Sequence, residues 1–227
     1  MQLFYNQKLY NDINILINDP AIVRSADFWG IKGIYKKSAV PLHIFNSPFG
    51  SISLLYGPRQ IGKTSSLKLF ASKIDDSDTV IVTDCSTILH RQDLAQHLAQ
   101  LIAGKTTVIL DEVQSVDGWH LALRSLYQEG LLRECRVWCT GSEARHILES
   151  GERLPGRKGA GKVVFARPWS FREYVDFFYP EVAAPYRGID IRHQNQHWLE
   201  AQDTSAWEKP WREYLVCGGF PRTVAEY

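Results

Sequence analysis

From residue 51 onward, apolar residues fall into short runs separated by stretches of helical spacing. Ser51–Tyr56 (SISLLY), Thr79–Thr83 (TVIVT), Thr106–Leu110 (TTVIL), Arg136–Thr140 (RVWCT) and Lys162–Ala166 (KVVFA) read as five strands. Between them, the spacing predicts helices over Gly62–Ser72, Asp93–Ala103, Trp119–Leu131 and Ala144–Glu149. In the second of these, Leu94, Leu98, Leu101 and Ile102 share one side. Strands alternating with helices imply βαβ units, hence an α/β fold with a parallel sheet. Runs as rich in β-branched residues as TVIVT and TTVIL suit strands buried on both faces.

The flanks differ. Residues 1–50 form a lead segment, in which Leu9, Ile13, Leu16 and Ile17 predict a helix stopped by Asp19-Pro20. Gly30, Gly33, Pro41 and Pro48 then punctuate a loop-rich stretch. After Pro168 the strand signal disappears. Phe171–Phe178 reads as a helix, and so does Pro210–Val216, with proline near its start and Gly218-Gly219 past its end. Three regions are therefore expected: 1–50, an α/β core over 51–167, and a small helical unit over 168–227.

Composition excludes several classes. Hydrophobic residues are 44% and charged residues 22% of the 227, the balance of an ordinary globular chain rather than a disordered one. The formal net charge of +1 excludes a globally basic nucleic-acid-binding surface. No apolar run approaches the roughly 18 residues of a membrane span, and the N-terminus lacks the pattern of a secretory signal. Cys85, Cys135, Cys139 and Cys217 form no CxxC pair and read as core thiols, so the cytoplasm is the expected compartment. His193 and His197 lie four apart without completing a metal-ligand set, and read as surface residues. Trp169, Trp198, Trp207 and Trp211 gather in the last third, which suggests a packing unit of its own.

The candidate chemistry begins at Gly57-Pro58-Arg59-Gln60-Ile61-Gly62-Lys63-Thr64, which matches GxxxxGK[ST] between a predicted strand and a predicted helix. In such a loop, backbone N–H groups point at a phosphate, glycine permits close approach, and the helix N-terminus adds its positive dipole end. Lys63 would reach the β- and γ-phosphates and Thr64 would ligate Mg²⁺. Asp111 and Glu112 end the third strand, where ligand chemistry gathers in a parallel sheet. Asp111 is the metal-side candidate, and Glu112 the candidate base for an attacking water. No NKxD or TKxD stretch supports a guanine pocket. At the fourth strand's tip, Thr140 or Ser142 would sit near a γ-phosphate, and Ser142 would equally cap the next helix.

Residues 153–172 carry six basic side chains (Arg153, Arg157, Lys158, Lys162, Arg167 and Arg172) and no acidic one. A solvated loop, an arginine finger reaching a neighbouring subunit, and a DNA-contacting patch all fit this stretch.

Taken together, the blocks Gly57–Thr64, Leu110–Gln114, Thr140–Ser142, Gly156-Arg157, Pro168–Tyr174 and Gly218–Pro221 resemble those of the prokaryotic AAA-type P-loop ATPases. The resemblance covers about residues 51–227. It implies a three-layer sandwich with strand order 5-1-4-3-2 and a winged-helix-like lid beginning near residue 168. It implies ATP and Mg²⁺ as ligands, held by the loop Gly57–Thr64 with Ser65, by Asp111, and on the adenine side by Pro221. It also implies that Lys63, Glu112, Ser142 as sensor and Arg157 act in catalysis, and that Arg222 is a lid-borne sensor. Members of the family usually continue well past the GGFP block. This chain ends six residues after Pro221, and so reads as a truncated product or fragment. The expected activity is Mg²⁺-dependent ATP hydrolysis used as a conformational switch, with a homo-oligomer and DNA as candidate partners and no membrane. A nucleotide-dependent DNA-binding module and a silent interaction scaffold are the alternatives.

Overall fold

The structure is a computed structural model and describes residues 2–5, 8–10, 40–71, 73–74, 78–142, 161–186 and 204–220. These fall into two compact units, within Met1–Arg167 and Pro168–Tyr227. The first holds seven strands: β1 (Gln2–Tyr5), β2 (Lys8–Tyr10), β3 (Ser51–Tyr56), β4 (Thr79–Asp84), β5 (Thr106–Asp111), β6 (Cys135–Gly141) and β7 (Val163–Phe165). Its helices are α1 (Lys63–Ala71), α2 (Arg91–Leu101) and α3 (Trp119–Gln128). The second unit holds α4 (Phe171–Phe178), α5 (Pro180–Ala183) and α6 (Ser205–Cys217).

The strands form one sheet in the order β2-β1-β4-β5-β6-β3-β7. Its five strands from β3 to β7 follow the order 5-1-4-3-2 expected of the α/β core, all in parallel. Two strands from the lead segment extend this sheet. β1 runs parallel to β4, with Phe4 opposite Ile81, and β2 turns back antiparallel on β1. Leu9 therefore lies in a strand opposite Phe4, not in the helix its spacing with Ile13 suggested. A register of sheet partners overrode a local period. Ile13, Leu16, Ile17 and the helix expected over Ala144–Glu149 lie outside the described residues.

Burial follows the two-faced pleat. On one face Ile52, Leu54, Ile81, Val108, Leu110 and Val137 pack against Leu94 and Leu98 of α2 and Trp119, Leu123 and Leu126 of α3. On the other, Trp138 meets Phe45 edge-on at 5.0 Å, and Phe45 lies 5.6 Å from Phe70 of α1. All four cysteines are buried and free. Burial pushes the Cys135 thiol up to about 11 and holds Cys85 and Cys139 still further from ionisation, so these are core residues rather than nucleophiles.

In the second unit, Ser170 and Glu173 close a capping box at the start of α4. Rings of Phe171, Tyr174, Trp207, Trp211 and Tyr214 cluster between α4 and α6. The Tyr174 and Tyr179 hydroxyls both donate to Glu213 Oε2. The helix expected from Pro210 begins five residues earlier, at Ser205, and carries Pro210 inside it. The aromatic cluster at Trp207 holds the extra turn that proline alone would disfavour. Gly218 ends α6 in the left-handed conformation. A Cβ on Gly219 would come within 2.1 Å of the Trp169 carbonyl oxygen, so only glycine fits there.

Candidate functional site

Parallel pairing brings the C-terminal ends of β3, β6 and β5 to one edge of the sheet, with β6 between the other two. The chain leaving β3 at Tyr56 forms the loop 57–62 and enters α1 at Lys63. Backbone geometry explains the glycines. Gly57 has φ +155°, and a Cβ there would lie 2.2 Å from the Ala166 carbonyl oxygen, beside the bond that Ala166 N–H donates to Tyr56 O at 2.7 Å. Gly62 has φ 88°, and Gln60 adopts the left-handed region at φ 62°. Pro58 is half-buried, Arg59 and Gln60 are exposed, and Ile61 is buried in the core.

Lys63 is 4% exposed, and its Nζ donates to the Gly57 and Pro58 carbonyls at 3.0 and 2.9 Å. Burial pushes its ammonium below the ordinary lysine value, opposed by the negative charge of Glu112 and Asp111. Thr64 Oγ1 lies 2.9 and 2.7 Å from Asp111 Oδ1 and Oδ2. Ser65 is half-buried on the first turn of α1.

Thr140, near the end of β6, sits between these groups and organises both acidic residues. Its hydroxyl donates to Asp111 Oδ1 and accepts from the Glu112 N–H at 3.1 Å. Burial holds the Asp111 carboxyl above its ordinary value, while the bonds from Thr140 and Thr64 pull it down. Glu112 is left-handed, φ 52° and ψ 48°, and turns the chain into the 3₁₀ segment Val113–Ser115. That turn returns Gln114 to Glu112. Gln114 Nε2 donates to Glu112 Oε2 and lies 3.2 Å from Ser142 Oγ, which itself donates to Glu112 Oε2 at 3.2 Å.

Lys63, Thr64, Asp111, Glu112 and Ser142 are thus brought to the same edge of the sheet. Thr140, named from the sequence only as a candidate beside a γ-phosphate, joins them as a partner of both acidic residues, and so does Gln114, to which the sequence assigned no role. Gln114 carried one available signal, its place in the Leu110–Gln114 block. Arg157, Pro221 and Arg222 lie outside the described residues, as do Arg153, Lys158, His193 and His197. Two members of the basic stretch are engaged with backbone carbonyls: Lys162 Nζ with Ile44 O at 2.8 Å and Asn46 O at 3.4 Å, and Arg172 with Tyr186 O at 3.3 Å. No helix among the described residues is long and apolar enough to cross a membrane. No cluster of three or more metal-ligating His, Cys, Asp or Glu occurs among them.

A family model for the AAA domain matches residues 50–175, more than half of the chain. The chain belongs to the AAA domain family. Its parallel sheet order is that of an AAA-type P-loop ATPase fold. No curated protein matches the sequence. Among solved structures, this AAA domain is similar to a variant of RuvB from Thermotoga maritima, at TM-score 0.46 and 15% identity, over 77% of this chain and 52% of that one. It is also similar to the ORC2 protein of Aeropyrum pernix in ADPNP–ADP complexes, at TM-score 0.45 and 13% identity, over 78% and 57% of the two chains. A third similarity is to PCH-2 of C. elegans, at TM-score 0.41 and 17% identity, over 96% and 62%. The chain spans between 52% and 62% of the length of these three structures.

Proposed function

We propose that this AAA domain binds ATP with Mg²⁺, hydrolyses the γ-phosphate bond, and uses the cycle as a conformational switch. The observation that supports this is the meeting of Thr64, Thr140 and Asp111 beside a loop whose buried lysine bonds, among the described residues, two carbonyls and no carboxylate. A desolvated ammonium bonded to neutral carbonyls is matched to an incoming phosphate. At Gly57 the loop runs so close to the Ala166 carbonyl that a Cβ would lie 2.2 Å from it, so the chain there needs glycine. These residues fit a nucleotide's phosphates and its metal.

In this reading Lys63 leaves the Gly57 and Pro58 carbonyls for the β- and γ-phosphate oxygens. Thr64 Oγ1 and Asp111 would hold Mg²⁺, which when bound offsets charge on the phosphates. Glu112 accepts a proton from water as the water oxygen bonds to the γ-phosphorus. The bond from that phosphorus to the bridging oxygen breaks, and ADP leaves with the electron pair. Ser142 holds Glu112. Arg157 is assigned the arginine-finger role, in its own subunit or toward a neighbouring copy in a homo-oligomer, and Pro221 the adenine side.

Equilibrium ATP binding with and without Mg²⁺, with phosphate release, tests this in the wild type, Lys63→Ala and Glu112→Gln. The expected pattern is Mg²⁺-dependent binding lost in Lys63→Ala, and binding kept with release lost in Glu112→Gln. Tryptophan fluorescence that differs between ATP- and ADP-bound protein supports the switch. A wild type that binds no ATP supports the scaffold alternative. Salt-sensitive DNA binding weakened by Arg157→Ala and Lys158→Ala supports the DNA alternative.

A further inference from the structure

Gln114 is unusual in using only half of its amide. Its Nε2 faces the Glu112 carboxylate, which only accepts, so the nitrogen and oxygen are assigned by chemistry. Its Oε1 is buried and has no hydrogen-bond partner. A buried amide oxygen without a donor is costly, and native structures rarely keep one unless a ligand or water completes it. Glu112 shows the complementary pattern. Both Gln114 and Ser142 bond its Oε2, and its Oε1 has no hydrogen-bond partner among the described residues.

Two acceptors are therefore left, one on each of two side chains already bonded to each other. A water donates two hydrogens. The terminal torsion of a glutamine is soft, so the planar amide turns slightly about it at little cost, Nε2 keeping Glu112 within reach while Oε1 tips toward a neighbouring water. We propose, resting on the hydrolysis described above, that Gln114 positions the attacking water. Glu112 Oε1 takes one proton of that water, and Gln114 Oε1 accepts a hydrogen bond from the other. With both hydrogens engaged, a lone pair of the water oxygen is turned to the γ-phosphorus. The water proton ends on Glu112, and the leaving bond electrons go to ADP.

The test uses the full chain, with Glu112→Gln as reference and Gln114→Met, which keeps length and loses the carbonyl. Gln114→Ala serves as a second variant should methionine disturb folding. The expected result is a kcat lower by on the order of 100-fold, with the Kd for ATP within about threefold and a melting midpoint close to wild type. Gln114→Glu places a second carboxylate beside Glu112, so the acidic limb of its kcat–pH profile moves to higher pH. In the nucleotide-free protein, the side-chain amide protons missing from Gln114→Met spectra shift on Glu112→Gln. Gln114→Met turning over within about threefold of wild type, while Glu112→Gln is inactive, overturns this inference and leaves hydrolysis standing. So does an unchanged amide shift, or lost ATP affinity in Gln114→Met. Equal phosphate release by wild type and Glu112→Gln overturns both.

Discussion

Thr140→Val isolates what holds the acidic strand end together. Valine keeps the shape of a side chain with no exposed surface and removes one hydroxyl. That hydroxyl donates to Asp111 Oδ1 and accepts from the Glu112 N–H. A hydrogen bond to a charged group contributes about 1.5–3 kcal/mol, and a buried donor left unpaired costs about 1–3 kcal/mol. Asp111 and Glu112 are only half-covered, so water replaces part of what is lost and the lower ends apply. The expected destabilisation is about 2–3 kcal/mol at neutral pH. Its pH dependence has a definite sign. Burial holds the folded Asp111 carboxyl above its unfolded value, and the Thr140 bond counters that rise. A carboxyl raised on folding favours the fold while protonated, and loses that contribution as pH rises through its folded pKa. Removing the hydroxyl raises the carboxyl further, so the gap between variant and wild type widens from acid to neutral. Urea denaturation followed by circular dichroism at about pH 5 and about pH 7.5 measures it, and hydrogen exchange on β5 and β6 locates it. A gap under about 1 kcal/mol at neutral pH, or one larger in acid, refutes the reasoning.

Three further outcomes follow from the same geometry. Gly57→Ala puts a Cβ 2.2 Å from the Ala166 carbonyl oxygen, so it is expected to destabilise by more than about 3 kcal/mol and to part β7 from β3; a near-native denaturation midpoint contradicts this. Asp111→Asn removes a charge that partial burial disfavours while keeping polar atoms for Thr64 and Thr140, so it raises the nucleotide-free melting midpoint by about a few degrees near neutral pH, the gain shrinking in acid. A lower midpoint at neutral pH counts against the burial account. Pro210→Ala restores an N–H at the sixth residue of α6, and is expected to stabilise the second unit by about 1 kcal/mol in thermal unfolding; destabilisation shows that the buried ring contributes more than the missing bond.

The five core strands were legible because each is a compact apolar run bounded by turns, and the loop at Gly57 because its residues match GxxxxGK[ST] between a strand and a helix. The strand order was not in the pattern at all; it came with the resemblance, since β3 and β6 pair although Ser51 and its partner Arg136 are far apart along the chain. β1 and β2 escaped notice because four and three residues carry too little period to stand out, and their pairing is non-local. Pro210 misled because proline usually opens a helix, whereas here packed rings at Trp207 and Phe171 outweigh it. At the site, Lys63, Thr64, Asp111 and Glu112 could be named from spacing. Thr140 was a candidate only for the γ-phosphate side, and its bonds to both acidic residues, like the role of Gln114, were out of reach until β6 lies beside β5 and a left-handed Glu112 turns the chain back.

The central claim, that this AAA domain hydrolyses ATP through Glu112, meets its most direct test in single-turnover phosphate release from Mg²⁺-ATP. Wild type and Glu112→Gln are compared at saturating protein, with ATP binding measured on the same samples. The account predicts that both bind ATP to within a few-fold, and that release by Glu112→Gln is slower by on the order of 100-fold or more. Equal release by the two proteins, or no ATP binding by the wild type, contradicts it.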